Sequence, residues 1–319
     1  DREERIGVIP SFESFEAFCQ HFNTEAACVQ ALFDARWPDG FRCPHCSHPR
    51  FSTIRTRRLP LYECLACGHQ TSIISGTIMQ GSSTKLTRWF QAMFLMAQPG
   101  GISAIRLAEI VQVTYKTAWL IAHKIRHAMQ QANSQRRLEG TVRIHCAFYG
   151  YFSYFDARQP LIIGATMDSQ HQPLHLKIEH PQPNHVMNNS RTITESGILQ
   201  FVDRHLSRHA NLERPRPVTP YHPLIRVRKA LTKWLNQTYQ GIGAKHLQAY
   251  SDEYAYRYNL QTESKPVFPK LLHGCAAAPV LIYRELIRHR PVLPIPWIAC
   301  GGKNKWKGRY LSIWSVHGA

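Results

Sequence analysis

Four of the nine cysteines in this 319-residue chain fall in a pattern that can hold a metal ion. Cys43-Pro44-His45-Cys46 and Cys64-Leu65-Ala66-Cys67 are two C-x2-C pairs separated by 17 residues. Each pair offers two thiolates from one tight turn, and two such turns joined through a hairpin give the tetrahedral four-sulfur shell that Zn2+ favours. Four sulfurs leave no open position for water, so the implied zinc is structural. Gly68, directly after the last cysteine, suits the positive φ of such a turn. The same residues can also serve as a redox pair or as two disulfides. Arg55, Arg57 and Arg58 fall between the pairs, where a small ribbon would display them to phosphate. Cys19, Cys28, Cys146, Cys275 and Cys300 have no paired spacing and read as buried or free thiols.

A second pattern lies at residues 101–119. A helix from Ser103 to about Val111, a short Gln112-Val113 link and a helix capped by Thr114 make a helix-turn-helix candidate, with the small Ala108 where the helices would cross. Tyr115, Lys116 and Thr117 then occupy the first turn of the second helix, where such motifs meet base edges or phosphates. A plain helical hairpin gives nearly the same pattern.

The elements that must position these groups follow from hydrophobic period. Phe15, Phe18 and Phe22, then Ala26, Val29 and Phe33, predict two short helices with Asn23 as the N-cap between them. Leu86, Trp89, Phe90, Met93 and Ala97 predict a third, stopped by Pro99-Gly100-Gly101. Residues 130–140 read as a polar linker. Beyond it Val142, Ile144, Cys146 and Phe148 alternate as a strand does, and two more strands are predicted at 161–167 and 174–179. Helices follow around Ile198–Leu206, 224–239 and 245–258. From Lys265 the chain is rich in Pro, Gly and basic residues, and no element is legible there. The fold class is α+β and multidomain. The expected segments are a helical start (1–40), a zinc ribbon (41–74), a helix-turn-helix domain (75–135), an α/β domain (141–263) and a basic extension (264–319).

Composition narrows the function. With 44% hydrophobic and 19% charged residues the chain folds, and no run approaches the roughly 20 apolar residues of a membrane span. Residues 1–5 carry no apolar secretory segment, so the expectation is a cytoplasmic protein. Thirty-nine Lys and Arg against 21 Asp and Glu give a net charge of +18, which attracts polyanions, and residues 264–319 hold nine of those bases against one acid. Double-stranded DNA is the predicted partner. Arg226, Arg228, Lys229 and Lys233 add a basic helix face that suits phosphate and equally suits solvent.

The order of motifs resembles bacterial insertion-sequence transposases that place a zinc ribbon before an RNase H-like DDE domain. Thr24-Glu25, Arg36-Trp37-Pro38-Asp39-Gly40-Phe41, the ribbon, Ser75-Gly76-Thr77, Trp89-Phe90, Gly101-Ile102-Ser103 and Val113–Trp119 carry the resemblance. It continues through Lys245-His246-Leu247-Gln248 and Asp252–Asn259. It implies an RNase H-like mixed sheet with flanking helices over 141–263, nucleoid association when bound to DNA, and a carboxylate triad holding two Mg2+ ions. The triad is where this chain departs. His145 stands at the first acidic position, Pro220 and Ile225 at the other two, and the segment between the last two is short. The other acids between Val142 and Tyr250 are Asp156, Asp168, Glu179, Glu195, Asp203 and Glu213; of these Asp168 and Glu179 are expected at strand ends, and all six read as surface acids. His205 and His209 lack the Glu of an H-E-x-x-H helix and are expected to face solvent. The expectation is a transposase-derived DNA-binding protein without catalysis. The alternatives are an active Mg2+-dependent transposase, and an interaction subunit using the extension with Trp297, Trp306 and Trp314 for a homo-oligomer or protein partner.

Overall fold

The computed structural model describes residues 12–150, 158–187, 190–213, 222–288 and 293. In chain order the elements are α1 (Phe15–His21), α2 (Glu25–Arg36), β1 (Phe51–Ile54), β2 (Leu61–Cys64), β3 (Gln70–Ser72), α3 (Leu86–Ala97), α4 (Ala104–Val111), α5 (Tyr115–Ser134), β4 (Thr141–Tyr149), β5 (Gln159–Met167), β6 (Pro173–Glu179), α6 (Glu195–His205), β7 (Asn211–Glu213), α7 (His222–Tyr239), α8 (Ala244–Thr262), α9 (Val267–Ala277) and α10 (Tyr283–Leu286). They form two units, one made of residues up to Asn133 with Ser264–Ile287, the other built on Ser134–Glu263.

In the first unit the helices begin where side-chain caps allow. Ser14 accepts from Ala17 N–H and Thr24 from Ala27 N–H, so the cap of α2 is Thr24 rather than Asn23. Phe18 and Phe22 pack on Phe90 and Phe94 of α3, with Phe18 stacked on Phe94 at 4.4 Å. The stretch left without an element by its sequence supplies α9, whose Phe268 meets Phe18 edge-on at 4.9 Å. His273 Nδ1–H donates to the Ala35 carbonyl at the end of α2 (2.9 Å). Residues 265–277 therefore complete the N-terminal core. Helix α5 runs on to Ser134, into the expected linker, and Leu138 beyond it is fully buried.

The second unit is a four-stranded sheet in the order β6-β5-β4-β7. Strands β4, β5 and β6 are antiparallel, while the three-residue β7 lies parallel to the start of β4, pairing Arg143 with Glu213. Alternation along β4 divides its side chains between two cores. Val142 and Ile144 join Ile162 and Phe201 under α6; Ala147 and Tyr149 join Leu161, Ile163, Leu231 and Leu247 under α7 and α8. Edge strand β6 is closed by polar side chains of α8. Asn259 bonds the N–H and the carbonyl of Leu176 (2.6 and 3.0 Å), and Gln248 accepts from His180 N–H and donates to the Ile178 carbonyl. Such an edge cannot template pairing with another chain.

Two tests follow from this packing. At Gly164 an added Cβ would sit 2.7 Å from the fully buried Phe201 ring, whereas Gly100 has open space around it. Gly164→Ala should cost about 1–3 kcal/mol in denaturant unfolding and Gly100→Ala almost nothing; equal stabilities would contradict the packing. Burial, with Lys177 and Arg136 nearby, lowers His175 to about 3, and burial lowers His180 to about 4. Both ring nitrogens of His175 are buried with no hydrogen-bond partner among the described residues. The unfolded chain binds protons at these histidines from about pH 6.5 downward and the folded chain does not, so stability falls as pH drops from about 7 to about 5. His175→Asn should flatten the fall in Tm, and a Tm already level over that range in the parent would refute it.

Candidate zinc centre and nucleic-acid interface

The ribbon's two cysteine turns repeat one backbone pattern. Ser47 N–H donates to the Cys43 carbonyl (2.8 Å) and Gly68 N–H to the Cys64 carbonyl (2.9 Å); Cys43 N–H reaches the His48 carbonyl, and Cys64 N–H the His69 carbonyl. Ser47 and Gly68, at φ 61° and 68°, turn each chain back on itself. All four sulfurs lie within 4.8 Å of one another, with Cys43–Cys67 at 3.7 Å and Cys46–Cys64 at 3.5 Å. A tetrahedron of Zn–S bonds near 2.3 Å has edges of about 3.8 Å, so the set fits zinc. All four are free thiols rather than disulfides. Cys43, Cys46, Cys64 and Cys67 are a structural zinc site.

The ribbon sits on α2 through aromatic contacts. Phe41, Phe51 and Tyr62 pack against Phe33 and Trp37 at 5.0–5.8 Å. Arg36 stacks on Trp37 and donates to the carbonyls of Ser72 and Ile73. In the loop between β1 and β2, Arg55 and Arg57 are exposed, whereas Arg58 is held by Glu25 at 3.0 Å. The other oxygen of Glu25 accepts from Leu86 N–H and so ties that loop to the start of α3.

Helices α4 and α5 are joined through Gln112, which adopts a left-handed conformation, and Val113 N–H closes the turn on the Ala108 carbonyl (3.1 Å). Thr114 Oγ1 accepts from Thr117 N–H, leaving Tyr115 and Lys116 exposed on the first turn of α5. Thr117 is half-buried, with its hydroxyl 2.9 Å from that of Thr114. On α7, Arg226, Lys229 and Lys233 are exposed, and Arg228 is half-buried.

Around His145 no group of acids among the described residues lies close enough together to hold a metal ion, although Glu195 and Glu213 share a cavity with it. Burial, and then Arg228, lower the His145 imidazole below its ordinary value, so the ring is neutral near pH 7. Ile225 is half-buried on α7, and Pro220 lies outside the described residues, as do Asp156, Cys300 and the three tail tryptophans. Glu213, at the end of β7, is the acid that the sequence failed to place at a strand end. It lies opposite Arg143 on β4 and is bound by that guanidinium at 2.6 and 2.7 Å. A cavity of about 270 Å3 beside it is lined by Ile144, His145, Cys146, Glu195, Leu212 and Glu213. Asp168 caps a turn by accepting from the N–H groups of Gln170 and Gln172. Glu179 is buried rather than a surface acid, and it pairs with Arg204 (2.9 Å) and with His205 (2.7 Å), which is therefore not solvent-facing. Among the described residues the four cysteines are the only convergent metal-ligating set.

Residues 23–70 match the transposase zinc-ribbon domain. The match takes in α2 as well as the ribbon, in keeping with the aromatic contacts that join them. The chain is also 27% identical, over 126 residues, to an uncharacterized protein in transposable element ISH50 of Halobacterium salinarum; the alignment takes in 39% of this chain and spans about two fifths (41%) of that relative. No solved structure matches. Both similarities support an insertion-sequence transposase relationship. No helix among the described residues is long and apolar enough to cross a membrane.

Because metal and ribbon fold together, protein purified under reducing conditions should contain one zinc per chain and Cys43→Ser should lose it. Elemental analysis checks this. A full equivalent of zinc retained by Cys43→Ser would refute the site.

Proposed function

We propose that this chain is a transposase-derived protein that binds double-stranded DNA and does not cut it. The observation that carries the reading is the transposase zinc-ribbon domain set in a chain of net charge +18. In this reading residues 1–40 support the ribbon (41–74), residues 75–135 are a helix-turn-helix domain, and 141–263 are an RNase H-like domain. The antiparallel β4-β5-β6 set with β7 parallel beside β4 supports that last assignment. In this reading the protein is cytoplasmic and nucleoid-associated when bound to DNA, and a homo-oligomer or protein partner would engage the basic extension outside α9, whose Phe268, Leu271, Leu272 and Cys275 are buried.

Tyr115, Lys116 and Thr117 lie where the second helix of such a motif enters the major groove, and Arg55 and Arg57 neutralise phosphate. The Arg226–Lys233 face adds phosphate contacts. Arg58 is committed to Glu25, so its contribution is to fix the loop that presents the other two. Loss of chemistry is supported by the surroundings of β4. A neutral imidazole offers one nitrogen to one ion and suits hard Mg2+ poorly. The nearest strand-borne acid, Glu213, already neutralises Arg143.

Duplex DNA binding should weaken steeply with salt, each neutralised phosphate contributing about −0.9 to the slope of log K against log salt. Lys116→Ala combined with Arg57→Ala should weaken binding more than Lys303→Ala with Lys305→Ala; the reverse ranking moves the DNA site to the tail. With Mg2+ or Mn2+, neither the parent nor His145→Asp should nick supercoiled plasmid. Cleavage by the parent that Glu213→Gln abolished would establish an active transposase instead.

A further inference from the structure

The return of the chain after α9 ends beside the first turn of α5. At one end of this path Gly274 of α9 rests against Ala128 and Ala132 of α5; at the other, Lys116 Nζ lies 5.8 Å from the ring centre of Tyr283. Residues 274–283 therefore run back along α5 to its N-terminal end, about 18 Å away at 1.5 Å per residue. Leu286 anchors the short α10 there at 8% exposure, while Tyr283 is 45% exposed and Arg284 and Ile287 also face outward.

We propose that α10 is a second DNA-contacting element, set beside the first turn of α5, with Tyr283 and Arg284 gripping the phosphate backbone next to the bases that Tyr115 and Lys116 meet. This rests on the DNA-binding reading above. Charge decides the occupant. Lys116 and the outward-facing Arg284 flank Tyr283, and Arg88 borders the turn before α5 through its bond to Gln112. The acids nearby are engaged locally: Glu109 with Arg106, and Glu285 with the N–H of Ile282. A duplex presents phosphate to Lys116 and Arg284 together, in keeping with the chain's net charge of +18. The Tyr283 hydroxyl is a donor of the kind that positions a duplex without reading sequence, and a guanidinium binds phosphate through two parallel N–H groups.

The test uses the full zinc-loaded chain, a fluorescently labelled duplex oligonucleotide, and anisotropy titrations over a range of salt. Tyr283→Ala with Arg284→Ala should weaken binding about tenfold and make the salt slope shallower by about one. Zinc content and Tm should not change, since Leu286 keeps the anchor. Tyr283→Phe separates the hydroxyl from the ring and should retain the parent slope. Parent-like affinity in the double variant, alongside weakened binding by Lys116→Ala, would overturn the inference and leave the DNA-binding reading standing. A parent that binds no duplex would overturn both. A parent dimer converted to monomer by the double variant, with DNA affinity intact, would make the patch a self-association surface and overturn the inference.

Discussion

The first unit depends on the four sulfurs that close the ribbon. Strands of four, four and three residues bury too little to fold alone, and the metal supplies the tie. Once the two cysteine turns are held together, Phe41, Phe51 and Tyr62 form a face that Phe33 and Trp37 of α2 can cover. Arg36 then has the Ser72 and Ile73 carbonyls within reach, and Glu25 can hold Arg58 with one oxygen and Leu86 N–H with the other. The metal thereby sets the placement of an arginine loop and of the helix that follows it.

The second unit is held by different contacts. Its two cores are apolar and lie on opposite faces of the sheet. Helix α8 carries buried Glu253 and Arg257; Glu253 accepts from Tyr239, and Arg257 lies over Trp234. Gln248 and Asn259 of this helix close β6, while Leu247 and Ala255 fill the core. None of these contacts requires a carboxylate on β4.

What could be read from sequence follows from how local each signal is. The zinc ligands declare themselves through paired spacing, and α3, α4 and α5 through period and caps. Helix α9 was hidden because Pro269 and Gly274 punctuate it; the proline, which has no N–H, is tolerated in the first turn, where an N–H would lack an intrahelical partner, and the glycine sits where a side-chain Cβ would meet α5 only at ordinary contact distance. Strand β7 has three residues, too few to show alternation, so Glu213 could be placed only once its pairing with Arg143 was seen. The pairing of Glu179 with Arg204 and His205 joins residues 25 and 26 apart and has no local sign. The charge of the loop arginines was legible, but the engagement of Arg58 by Glu25 was not.

The central claim is that DNA recognition remains here without a site for catalytic metal ions. Electron paramagnetic resonance of Mn2+ titrated into the zinc-loaded protein tests it most directly, because bound Mn2+ withdraws from the free-ion signal. The account predicts no stoichiometric Mn2+ site and a titration identical in the parent, His145→Ala and Glu213→Gln. One or two equivalents bound by the parent and lost in Glu213→Gln would contradict it.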